Sequence, residues 1–217
     1  MATILSFDEA NKLYAQNHAE NLRSLPFEQF FGEMDLSEVQ RQHRIGTAKQ
    51  IYGFTRDALM GLYYMVQEGG WYAYDDIAAD MKKSYSDMLT KLGVVFTAFF
   101  DAAHVESTVA EIISATLNHA DDPYYFSLDR VTLIAENEAN SVWNDSEFQD
   151  AIDTGHTMKT WLSMRDKRVR KTHTEVDGTT IPINEFFHVG EAMLLYPRYA
   201  SDHPEETVNC RCTLAFS

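Results

Sequence analysis

The stretch Met158-Lys-Thr-Trp161-Leu-Ser-Met-Arg-Asp166-Lys-Arg-Val-Arg170-Lys-Thr-His173-Thr-Glu-Val-Asp177-Gly178-Thr-Thr-Ile-Pro-Ile183 decides the fold class, because helical spacing gives way to extended chain there. Thr160 to Met164 alternates apolar and polar as a half-buried strand does. His173-Thr-Glu-Val176 and Thr179-Thr-Ile-Pro-Ile183 flank Asp177-Gly178, and Asp-Gly between short alternating runs predicts a type I′ hairpin. Farther on, Val208, Cys210, Cys212, Leu214 and Phe216 would share one face of a terminal strand, with Asn209, Arg211 and Thr213 on the other. The C-terminal part is therefore expected to be a small α+β unit with a short antiparallel sheet.

Upstream of this stretch the pattern is helical. Phe7-Asp8-Glu9 offers a capped start to one or two short helices ending before Pro26, with Leu13, Tyr14, Leu22 and Leu25 at near-helical spacing. A second helix is predicted from Ser37-Glu38 to about Glu68, carrying Ile51, Phe54, Ala58 and Leu62 on one face and stopping at Gly69-Gly70. A third is predicted from Asp75 to Ala103 through Met81, Tyr85, Met88, Leu92, Val95 and Phe99, and a fourth from Ser107 to His119. A fifth begins at Ser127 and runs through Val131, Ala135, Ala139 and Val142-Trp143. Long one-faced helices with short breaks describe a bundle or an elongated arm. Residues 1–126 are thus expected to form a mainly helical region and 127–217 a separate domain. The tyrosines and methionines crowding the apolar stripes read as core, with a protein interface as the other use of such residues.

Charge is unevenly distributed. The 217 residues carry a net charge of -15, of which residues 1–150 hold -14 and residues 151–217 hold -1. Strong negative charge disfavours general attraction to nucleic acid or anionic lipid. One segment runs against it: Lys159, Arg165, Lys167, Arg168, Arg170 and Lys171, relieved only by Asp166. It is either a solvated or acid-docking face, or a contact to DNA. No run of about 18 apolar residues is present, and Met1 to Ser6 lacks the basic and apolar parts of a secretory leader, so no membrane partner and a cytosolic site of synthesis are expected.

The rarest residue types concentrate at the C-terminus. His173, Cys210 and Cys212, with His188 or Asp177 as further candidates, are chemically suited to zinc. The Cys-x-Cys spacing is tighter than usual, and two cysteines on an apolar strand face also read as buried core. A direct bond between them would be strained. His173 with Glu136, Glu138, Asp166 or Asp177 offers general acid and base chemistry, but nothing in the spacing makes them face one pocket. The alternative is a hydrogen-bonded network of Arg170, His173 and Asn209. No Gly-rich phosphate loop, serine elbow or kinase pattern appears, so no cofactor is expected.

Taken in order, Trp161, Asp166, Arg170, His173, Gly178, Phe186, Pro197, Asn209, Cys210 and Cys212 resemble the C-terminal domain of phage minor head proteins, typified by protein F of phage Mu and its head morphogenesis relatives. Arg130-Val-Thr-Leu-Ile-Ala-Glu-Asn137-Glu138 is similar to the Arg-x-x-x-Ile-Ala-x-Thr-Glu pattern that opens the family's shared region, with Asn137 in place of Thr. The resemblance covers roughly residues 128–217; the first 127 residues carry no recognised motif. It implies a virion component assembled in the host cytoplasm. The expected partners are the portal and other head proteins, with packaged double-stranded DNA as a further one. The expected role is head assembly or DNA delivery rather than catalysis. The rival reading is a prophage effector enzyme acting on nucleic acid or nucleotide through His173 and nearby carboxylates.

Overall fold

The computed structural model describes residues 4–22, 26–69, 73–93, 100 and 102–217. Leu25, Gly70, Val95 and Phe99 of the sequence reading lie outside them. The chain is α+β. Helices α1 (Phe7–Asn17), α2 (Phe27–Gly32), α3 (Glu38–Glu68), α4 (Tyr74–Leu92) and α5 (Ala102–Asn118) come first, then a 3-10 turn (Pro123–Phe126) and α6 (Leu128–Asp153). Strand β1 (Met158–Leu162), α7 (Lys171–Val176), β2 (Thr180–Pro182), β3 (Phe187–Val189), β4 (Ala192–Leu194), α8 (Pro204–Thr207) and β5 (Thr213–Phe216) complete it.

Two compact units divide the chain. The first joins α1, α3 from Lys49, α4, α5 and α6 up to Ala135. Helix α1 starts where its sequence dictates: the Ser6 hydroxyl accepts the Glu9 N–H at 3.2 Å and the Glu9 carboxylate accepts the Ser6 N–H at 2.9 Å, a reciprocal capping box. Ile51, Leu59, Leu62, Met81, Tyr85, Met88, Val109 and Ile113 are buried in this unit. The expected helix from Asp75 to Ala103 instead ends at Leu92, because Gly93 takes the left-handed conformation (φ 61°) that closes helices. The fourth helix begins earlier than expected, at Ala102.

The second unit joins α2, α3 up to Ala48, and everything from Glu136 to the C-terminus. Its three-stranded antiparallel sheet has the order β2-β1-β5, with Trp161 opposite Leu214 and Thr160 opposite both Thr180 and Ala215. A separate hairpin pairs β3 with β4 through Gly190-Glu191. Phe148 of α6 packs with Trp161, Phe187, Val189, Leu194, Tyr196, Cys210, Cys212 and Leu214 in one core.

Two expectations of the sequence are corrected here. Residues 173–176 are helical, in α7, and Asp177-Gly178 is not a type I′ hairpin. Such a turn needs positive φ at both central residues, whereas Asp177 has φ -57° and only Gly178 is positive, at 76°. The terminal strand is short, Thr213–Phe216, because Asn209 at φ 58° breaks the extended run; Val208 is 46% exposed while the two cysteines are buried.

Candidate functional site

Residues 209–212 are held by side chains of α6 instead of a neighbouring strand. Asn137, Asn140 and Asn144 sit at helical spacing on one face of α6. Asn137 pairs with Asn209, accepting its N–H at 3.1 Å and donating to its Oδ1 at 3.0 Å. Asn140 donates to the Cys210 carbonyl at 3.2 Å. Asn144 donates to the carbonyls of Cys212 and Pro197 at 3.2 and 3.1 Å. Buried carbonyls without a ladder need such partners. The amides are oriented in turn by Arg44, which donates from Nε to Asn140 Oδ1 and from Nη2 to Asn144 Oδ1, both at 3.1 Å.

Clamped in this way, the Cys210 and Cys212 thiols both face His173. Its Nδ1 lies 3.4 Å from the Cys212 sulfur and 3.6 Å from that of Cys210. Its Nε2 lies 3.1 Å from the Glu206 carboxylate, which also accepts the Thr172 hydroxyl at 2.8 Å. All four side chains are at least nine-tenths enclosed or nearly so, with His173 only 2% exposed. Trp161 packs edge-on against the imidazole with ring centres 5.7 Å apart.

The electrostatics follow from this crowding. Cys210 is held well below the ordinary thiol range, first by its hydrogen bond from Cys212 and then by His173, which together outweigh burial. Cys212 is pushed far above that range by its hydrogen bond to Cys210 and by burial. Burial is the largest influence on His173 and opposes its charged form, yet the adjoining Cys210 sulfur raises it above the usual histidine value. The cluster therefore favours one thiolate beside an imidazolium, and two soft donors with one imidazole nitrogen around a common point.

The other motif residues are scattered around this centre. Asp166 forms a two-point pair with Arg211 Nη2, 2.8 Å to each oxygen, and Asp177 accepts the Ser163 N–H and the Arg165 guanidinium, each at 2.7 Å. The Gly178 N–H donates to the Trp161 carbonyl at 2.8 Å. Pro197 contributes its carbonyl to Asn144, and Phe186 lies at the surface, edge-on to Tyr199. Arg170 donates to the Val208 carbonyl, Asn209 to Asn137, and His173 turns to Glu206 and the thiols, so the three are separate anchors rather than one network. His188 is exposed on β3 and takes no part.

The basic run is dismantled by folding. Lys159 is fully buried, its ammonium donating to the Leu195 carbonyl at 2.7 Å and lying over the Phe148 and Phe187 rings. An alternating strand places it on the inner face of β1 with Trp161, which removes it from any surface patch. Arg165 is paired with Asp177, and Arg168 with Asp166 and Glu33. Lys167 and Lys171 remain exposed.

Sequence reasoning missed Glu206, Thr172, Gly190 and Arg44. Glu206 sits on the short helix α8 with no pattern to mark it. The asparagine stripe of α6 was visible in the spacing of Asn137, Asn140 and Asn144 but unread.

The chain matches the family described as "Phage Mu protein F like protein" over residues 73–215, well over half its length, and it belongs to that family. The match begins upstream of the motif-bearing segment and takes in α4 and α5. Among curated proteins, it is similar to the NAD(+)--arginine ADP-ribosyltransferase EFV of Enterococcus faecalis (strain ATCC 700802 / V583), 29% identical over 102 residues. Those residues are 46% of this chain and 21% of that protein, so the chain spans about a fifth of the relative's length. No solved structure matches.

Proposed function

We propose that this phage head morphogenesis protein is a minor virion component that associates with the portal and supports head assembly and DNA delivery. The observation carrying the reading is the family match over residues 73–215. The build of the C-terminal unit supports a framework role. Its motif and helix polar residues are engaged internally, Asp166 by Arg211 and Asn140 and Asn144 with backbone carbonyls. The acidic chain suits a protein that must bind other proteins without being trapped on the genome. Among the described residues no helix is long and apolar enough to cross a membrane. The test is co-purification with the portal protein of the same phage and mass spectrometry of intact virions. Presence in both is expected, and absence from both refutes the reading.

A second reading, an enzyme, is favoured by one observation, the resemblance to the ADP-ribosyltransferase. The likeness takes in only 21% of that protein, which fits a shared module as well as a shared activity. The carboxylate that meets His173 is Glu206, and the pair is enclosed. Transfer of labelled ADP-ribose from NAD to an arginine acceptor, abolished by His173→Ala with the fold retained, would establish the enzyme; no transfer is expected.

A further inference from the structure

We infer that His173, Cys210 and Cys212 bind one zinc ion, which ties helix α7 to the clamped C-terminal segment. The donor atoms, one nitrogen and two sulfurs, all lie within 4.8 Å of one another. Tetrahedral zinc, with Zn–S of about 2.3 Å and Zn–N of about 2.0–2.1 Å, places the nitrogen about 3.5 Å from each sulfur. The observed separations from His173 Nδ1 are 3.4 and 3.6 Å.

The surroundings meet the demands of a metal-binding histidine. Such a ligand commonly gives its second ring N–H to a carboxylate, which fixes the tautomer and raises the basicity of the free nitrogen. Glu206 occupies that place at Nε2, is itself held by the Thr172 hydroxyl, and is seated against Gly190, where a Cβ would lie 2.4 Å from its Oε1. Both cysteines are free thiols, so the sulfurs are available. The Asn140 and Asn144 bonds to the Cys210 and Cys212 carbonyls fix the two ligands in the tight Cys-x-Cys spacing that made the sequence signal weak. A cavity of about 20 Å³ bordered by His173, Cys210, Cys212, Arg168 and Arg170 adjoins the cluster, room for a water-sized fourth ligand.

The test begins with the wild-type chain purified without chelator and assayed for zinc by elemental analysis. About one equivalent is expected, and less than about a tenth after incubation with excess zinc and desalting overturns the proposal. Cobalt(II) added to the chelated chain should give thiolate-to-metal charge-transfer and tetrahedral d–d absorption; a spectrum lacking both overturns it too. Two thiols that react with an alkylating reagent only after chelation should be found, and equal reactivity with and without zinc contradicts the site. Glu206→Gln keeps all three ligands and is expected to weaken zinc by about 10- to 100-fold. Cys210→Ser and Cys212→Ser should each abolish the cobalt bands; bands unchanged in both would place the metal elsewhere.

Discussion

Arg44 and Glu147 meet in a two-point ion pair, Nη1 to Oε1 at 2.6 Å and Nη2 to Oε2 at 2.9 Å, and the same guanidinium sets the amides of Asn140 and Asn144. One residue of α3 thereby controls how α6 holds the cysteine segment. Arg44 is fully buried, so removing it strands the Glu147 carboxylate and two amide oxygens in a low-dielectric setting. Arg44→Met is expected to cost about 3–5 kcal/mol in urea-induced unfolding. A loss below about 1 kcal/mol would mean that water reaches the pair.

Two glycines should behave differently on substitution by alanine. Gly178 and Gly190 both have positive φ, 76° and 60°, so each alanine variant bears backbone strain of about 1–2 kcal/mol. A Cβ at Gly178 meets nothing within 4 Å, whereas at Gly190 it runs into Glu206 Oε1. Gly190→Ala is therefore expected to lower the thermal midpoint more than Gly178→Ala and to shift the His173 ring resonances. Equal losses and an unmoved imidazole would show that Glu206 is not seated as described.

Burial brings the Lys159 ammonium down from an ordinary 10.5 to about 8. In the unfolded chain the lysine keeps its proton to the higher value, so between the two pH values the unfolded state binds more protons. Stability from this residue must then rise with pH across that window and stay flat below it. The full effect is about 3 kcal/mol. The unfolding free energy of wild type minus that of Lys159→Met, measured from about pH 7 to pH 10, should grow in favour of the wild type. A flat difference would contradict the depressed value.

The basic run is not expected to be a DNA site. Folding buries Lys159 and engages Arg165, Arg168 and Arg170 with carboxylates or backbone, leaving Lys167 and Lys171 at the surface. Each phosphate contact would add about one unit to the salt dependence of binding. Replacing Lys167 and Lys171 with alanine should leave both the affinity for duplex DNA and its salt slope unchanged in a filter-binding titration. A slope shallower by about two would restore the DNA role.

Periodicity and helix caps are local properties, so the chain alone made legible the long helices α3 and α6, the change to extended chain after Gly155 and the α+β class, but not where α4 ends and α5 begins. The C-terminal motif residues also carried the family to which the chain belongs. Tertiary structure decided what those residues do. Residues 173–176 alternate as a strand would, yet lie in α7, since four residues carry too little periodicity to outweigh the packing of His173 against Trp161. Lys159 counted as part of a basic surface until the register of β1 turned it inward. The cluster around His173 depends on Glu206, and its clamp on Arg44, 103 positions from its partner Glu147. Pairings over such separations leave no spacing to read, because side-chain hydrogen bonds depend on where the backbone brings two atoms and not on how far apart the chain places them.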